Sequence, residues 1–156
     1  MASPFDFTAG NTLTAEQLNA IGDFETFTPS WTNLTVGDAT QQAKFAQVNE
    51  IVYFQVEFIA GSSSSFGSGS AHQFALPVTP VTDLSYTPMG TGWCRPDGSN
   101  IFMQQLIGVG SNCVPYCLDA DDDSSAYTGL VSQRNSVPQT WNTSGQMYMA
   151  GWYRVA

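Results

Sequence analysis

Val52-Tyr53-Phe54-Gln55-Val56-Glu57-Phe58 alternates without a fault. Successive side chains on a strand point to opposite faces, so Val52, Phe54, Val56 and Phe58 share one side and Tyr53, Gln55 and Glu57 the other. One face of this strand therefore supplies a row of core residues while the other stays wet, the signature of an antiparallel sheet with one solvated side. Working back along the chain, Asn49-Glu50 is a two-residue hairpin turn that lacks the favoured glycine. It joins this strand to another around Ala43 and Phe45 that ends near Val48. Before that lies a strand expected over Trp31–Val36.

Working forward, Gly61 to Ser70 (Gly-Ser-Ser-Ser-Ser-Phe-Gly-Ser-Gly-Ser) is expected to be a flexible loop carrying one aromatic, Phe66. His72, Phe74 and Leu76 alternate after it, and Pro77 and Pro80 close that strand. Further strands are expected over Thr87–Cys94, Ile101–Gly108, Asn112–Leu118 and Gln146–Val155. On the last, Met147, Met149, Tyr153 and Val155 share one face, and Tyr148, Trp152 and Arg154 the other. About eight short strands with turn signals every ~8–15 residues indicate an all-β, antiparallel sandwich or jelly roll. A parallel α/β fold needs crossover helices that the pattern does not offer.

One helix is expected, at about 14–21. Thr14 and Gln17 have the spacing of a capping box, Leu13 can staple onto Leu18, and Gly22 is a suitable stop. Two turns are too few to stand alone in water, so Leu13, Leu18 and Ile21 need a surface to dock on. Residues 1–12, with Pro4, Phe5, Phe7 and Gly10, read as an extended arm. The expected division is an arm-and-helix segment over 1–28 and a β-domain over 29–156.

Composition narrows the function. Of 156 residues only 11% are charged, against the usual ~25%, while 42% are hydrophobic, enough for a real core. Ser, Thr, Asn, Gln and Gly must build the polar surface, a palette that suits exposed or particle-borne β-domains. Four cations, Lys44, Arg95, Arg134 and Arg154, face thirteen acidic residues for a net charge of −9. Nucleic acid and anionic lipid both require a cationic footprint, so neither is an expected partner. No apolar run approaches the ~20 residues of a spanning helix. The first residues lack the basic and apolar regions of a secretory signal, so synthesis in a cytoplasm and release within a particle are expected. Cys94, Cys113 and Cys117, odd in number, read as buried small hydrophobes, with a bridge from Cys94 to one of the others left open.

Catalytic signals are sparse, and no cofactor is expected. His72 is the single histidine and no nucleophile elbow accompanies it, so a histidine at the edge of the core is the simpler reading. Cys113-x3-Cys117 with one distant His lacks paired zinc-ligand spacing. Asp119, Asp121 and Asp123 carry the alternating carboxylates of a calcium loop, but Ser124 stands where the loop needs glycine and no Glu follows at the twelfth position. A solvated acidic turn is the plainer account. No pair of carboxylates can be assigned to glycosidase chemistry. Phe66 is either a receptor-contacting tip or an aromatic folded back into the core. Trp93, Trp141, Trp152 and Tyr148 are either a sugar-stacking platform or packing within the core or between subunits.

Leu13-Thr14-Ala15-Glu16-Gln17-Leu18-Asn19-Ala20-Ile21 resembles the start of many small virion proteins of tailed bacteriophages, the minor tail and tail-fibre-like proteins. The likeness continues through Phe27–Gly37 and Ala43–Val48. It is sharpest from Gly61 to Pro80, where a Ser-rich loop precedes Phe74-Ala75-Leu76-Pro77, and it returns in Gly151-Trp152-Tyr153-Arg154-Val155-Ala156. The segment from Tyr86 to Gln139 matches least. The resemblance implies a virion structural component, not an enzyme: an N-terminal attachment segment with Phe5, Phe7, Leu13, Leu18 and Ile21 as apolar anchors on other virion proteins, and a displayed β-sandwich, commonly in homotrimers. The expected role is a tail-fibre or tip appendage subunit; a capsid-decoration or head-fibre protein is the alternative within the resemblance, and a carbohydrate-binding module for a host surface glycan is the alternative that aromatic stacking offers.

Overall fold

The computed structural model describes residues 22–67, 69–81, 86–118, 130–134 and 136–156. The expected arm, the helix at 14–21 and the acidic turn at 119–125 lie outside them. Among the described residues every regular element is a strand. These are β1 (Glu25–Thr26), β2 (Trp31–Thr32), β3 (Leu34–Thr35), β4 (Thr40–Val48), β5 (Ile51–Ile59), β6 (Ser65–Phe66), β7 (Gln73–Ala75), β8 (Thr87–Arg95), β9 (Phe102–Val109), β10 (Asn112–Leu118), β11 (Leu130–Ser132) and β12 (Gln146–Arg154).

All strand pairs are antiparallel. One sheet runs in the order β1-β4-β5-β12-β8-β9-β10-β7-β2, with β11 beside β10, and β3 pairs with β6 apart from it. The alternation read in Val52–Phe58 holds. Val52, Val56 and Phe58 are 0% exposed and Phe54 1%, while Tyr53 is 47% exposed. Each such buried side chain contributes roughly 1.5–3 kcal/mol. Ala43 and Phe45 of β4, Met147, Met149 and Tyr153 of β12, Cys94 of β8, Leu106 of β9 and Cys113 and Cys117 of β10 complete the buried face.

The sheet curls back on itself. β5 is third in the order and β7 eighth, yet the Phe54 and Phe74 rings lie 6.0 Å apart. Trp31, on the last strand, meets Phe58 at 5.5 Å, and its Nε1–H donates to Gln41 Oε1 of β4 at 2.6 Å. Side chains thus bridge strands that share no ladder, and the core fills the inside of an open half-barrel.

Three expectations change. The sheet takes in β1 ahead of the first strand expected from the sequence, and just after it Phe27 N–H donates to Ala43 O while the Phe27 ring meets Phe45 at 5.9 Å. The strand expected over Trp31–Val36 is two short ones. Asn33 sits between them in the left-handed region at φ 60°, its amide donating to Ala71 O, so that β2 joins β7 while β3 joins β6. The slack loop expected from Gly61 is held from its first residues. The Asp38 carboxylate accepts hydrogen bonds from Ser62 Oγ, Ser63 N and Ser63 Oγ, each at 2.8 Å, and Ser64 Oγ donates to Val36 O. The Asn49-Glu50 hairpin stands as read: Asn49 supplies the positive φ of 53° that glycine would otherwise provide.

Candidate functional site

Strand registers assemble a patterned surface on the outer side of β4, β5, β12, β8 and β9. Directly paired residues share a face, so their side chains form rows across the sheet. In one row Ala46 pairs with Tyr53 and Tyr53 with Trp152. Phe24 joins this end, lining the same groove as Tyr53 and Trp152. Ala46 points outward yet is only 3% exposed. Four positions along the strands a second row runs Glu57, Tyr148, Trp93, Met103. Trp93 and Tyr148 stack with rings 6.4 Å apart and 21° from parallel. Between the rows lies a polar line of Lys44, Gln55, Ala150, Thr91 and Gln105.

The groove between Tyr53 and Trp152 has a volume of about 370 Å³ and a floor of Ala150, Gly151, Gly90 and Thr91. Gly90 and Gly151 pair directly, and a Cβ on Gly90 would run into the Ala150 carbonyl, so only glycine allows this close strand approach. Trp152 also walls a second hollow of about 230 Å³ with Pro80, Pro88, Met89 and Arg154. At its rim Arg154 pairs with Glu50 at 3.1 Å, an exposed contact of small energetic weight.

The four aromatics expected to form a platform divide. Trp93, Tyr148 and Trp152 are on this outer face. Trp141 is not: it is 5% exposed and stacks on Phe66, which is 9% exposed, with centroids 4.8 Å apart. Neither presents a face to a receptor or sugar. Phe66 faces inward because β6 alternates and the Phe58 ring lies beneath it at 6.2 Å. The anchors Phe5, Phe7, Leu13, Leu18 and Ile21, and the carboxylates Asp119, Asp121 and Asp123, lie outside the described residues. Parity in the sequence puts Tyr53 outward but not beside Trp152, and no pattern marks Phe24 or Met103 as members of this face. Register makes those neighbours, and only the hairpin register was legible.

The chemically versatile groups are inside. His72 is fully buried; Gln133 Nε2 lies 3.3 Å from its Nδ1, Phe66 packs at 5.7 Å, and burial lowers its pKa to about 4. Gln133 also accepts from Gln104 and contacts Met147 Sδ at 3.0 Å, while His72 Nε2 and Gln104 Oε1 are buried without a hydrogen-bond partner among the described residues. Cys94 and Cys117 Sγ lie 3.9 Å apart, and their contact and burial push the Cys94 thiol far up. Burial does the same to Cys113. Such thiols stay protonated and unreactive. Among the described residues no group of three or more His, Cys, Asp or Glu is arranged to hold a metal, and no helix is long and apolar enough to cross a membrane. No protein-family model matches the chain, and neither does any curated protein or solved structure.

Proposed function

We propose that this chain is a non-catalytic structural protein of a bacteriophage particle, an appendage subunit attached through its N-terminal segment and displaying the curled sheet as a sandwich-like domain. The observation that carries the reading is the division of labour between faces. The groups that hydrolysis would recruit, His72 and the thiols, are sealed in the interior, whereas Tyr53, Trp152, Trp93 and Tyr148 are gathered on one outer face. Aromatic residues are the usual anchors of recognition surfaces. Phe5, Phe7, Leu13, Leu18 and Ile21 supply the attachment. The chain acts as a homotrimer, since closed symmetric assembly shelters edges such as β1 and β2.

The test is deletion of residues 1–21, which spares every described strand. The truncated protein should fold, shown by an unchanged thermal transition, and fail to enter particles. Full incorporation of the truncated protein would defeat the attachment role, and a monomer in light scattering of the full chain would defeat the trimer. Labelled antibody on intact particles should find the chain on an appendage.

A further inference from the structure

We infer that the outer face of β5, β12 and β8 is a binding site for an uncharged glycan chain, laid across the strands between the two aromatic rows. The rows are four residues apart along each strand, about 13 Å, with the polar line midway and about 7 Å from each. The line between them is polar but nearly free of charge: Gln55 and Thr91 offer amide and hydroxyl groups, Ala150 leaves space, and Lys44 sits at the far end. This combination matches a saccharide. A pyranose ring presents C–H groups on its faces, which pack on aromatic rings, and hydroxyls on its rim, which need donors and acceptors. The groove volume of about 370 Å³ falls in the range of small-ligand sites.

Charge selects within the class. The chain carries −9, and Lys44 is the one cation of that line, so an acidic polysaccharide would meet net repulsion. A protein partner is a poorer fit, because a dry interface would strand the Gln55 amide and Thr91 hydroxyl between apolar ridges, where an unpaired polar group is costly. The half-exposed Tyr53 and Trp152, at 47% and 53%, are the two principal stacking groups. Thr91 and Gln55 hold the hydroxyl rim. Gln105 is already committed, donating to Gly90 O at 2.8 Å, and acts by holding that edge of the floor.

The inference deepens the display role by naming what the face takes, and its test is separate from that role. Full-length protein is applied to immobilised hexasaccharides of glucose, N-acetylglucosamine, mannose and galactose, with hexagalacturonate as the acidic probe. At least one neutral probe should be retained, and retention should fall at least tenfold in Trp152→Ala and in Tyr53→Ala. Tyr86→Ala, an exposed aromatic outside both rows, should match the parent. Gln55→Leu should lose at least threefold; unchanged or increased retention would overturn the assignment of the polar line to the sugar hydroxyls. Retention of none of the neutral probes, preference for the acidic probe, or protection of Trp152 from acrylamide quenching that grows with protein concentration alone would overturn the inference. Glycan retention by a protein that particles do not incorporate would reject the display role and leave the site standing.

Discussion

His72 enters the interior uncharged, with its ring against the stacked pair of Phe66 and Trp141. That placement fixes a pH dependence. Below about pH 6.5 the unfolded chain takes up a proton at this ring, and the folded chain refuses it until about pH 4. Stability is therefore full above 6.5, falls as the pH drops toward 4, and levels off below. The loss is on the order of 3 kcal/mol. Urea midpoints at pH 7, 5.5 and 4.5 should show this fall in the parent protein and a flatter response in His72→Gln. Parallel curves would show that another group titrates. The Asp38 carboxylate has the opposite origin, since hydrogen bonds from Ser63 and Ser62 hold its pKa well below the usual carboxylate range. Its support for the turn persists through the His72 window and fades only in stronger acid. Asp38→Ala should speed amide exchange at Ser63 at neutral pH, with the β5 amides unchanged; an unchanged Ser63 rate would refute the clamp.

At the scale of elements, β8 is the informative strand. Gly90 and Gly92 face the β12 backbone, and a Cβ on either would strike a carbonyl oxygen, of Ala150 or Tyr148. A register shift between Pro88 and Gly90 lets the strand bend at the same place. Gly90→Ala must push β8 from β12, an overpacking cost of about 1–3 kcal/mol. Thr91→Ala, one residue along on the outer face, should change stability by no more than ~0.5 kcal/mol. Chemical denaturation of both variants measures the contrast, and equal midpoints would count against the close approach. Strand legibility follows the same logic. β5, β8, β9, β10 and β12 were readable because they are long enough to show alternation. β1, β6 and β11 were not, because two or three residues carry no period and owe their strand geometry to the partner they pair with. Asn33 hid the division between β2 and β3, since a single left-handed residue in an apolar run leaves no periodic mark.

For the molecule as a whole, the antiparallel all-β class was legible from Val52–Phe58 and the strands that follow, and the curl was not. Sheet order depends on which distant strands meet, and no local pattern encodes that β12 lies between β5 and β8. The same gap explains the candidate face: Trp152 and Tyr148 were legible as outward, while their seating beside Tyr53 and Trp93 required the register. What turns the sheet into a half-barrel is a seam of side chains without a backbone ladder. Trp31 forms its centre, touching Phe58 and Phe74 with its ring and Gln41 with its indole N–H. Because the seam has no ladder, it depends on that residue more than any strand pair depends on one. Trp31→Ala should cost about 2–3 kcal/mol, somewhat under the ~3–5 of a fully buried aromatic because the ring is half-buried. Trp31→Phe keeps the ring contacts and loses only the hydrogen bond, about 1 kcal/mol. The two differ in kind as well as size. In the alanine variant amides of β2 and β7 should exchange ahead of those in β5 and β12, because the seam opens while the long ladders persist. If both variants unfold at the parent midpoint, or if β5 exchanges as early as β7, the ladders alone close the fold and Trp31 is incidental to it.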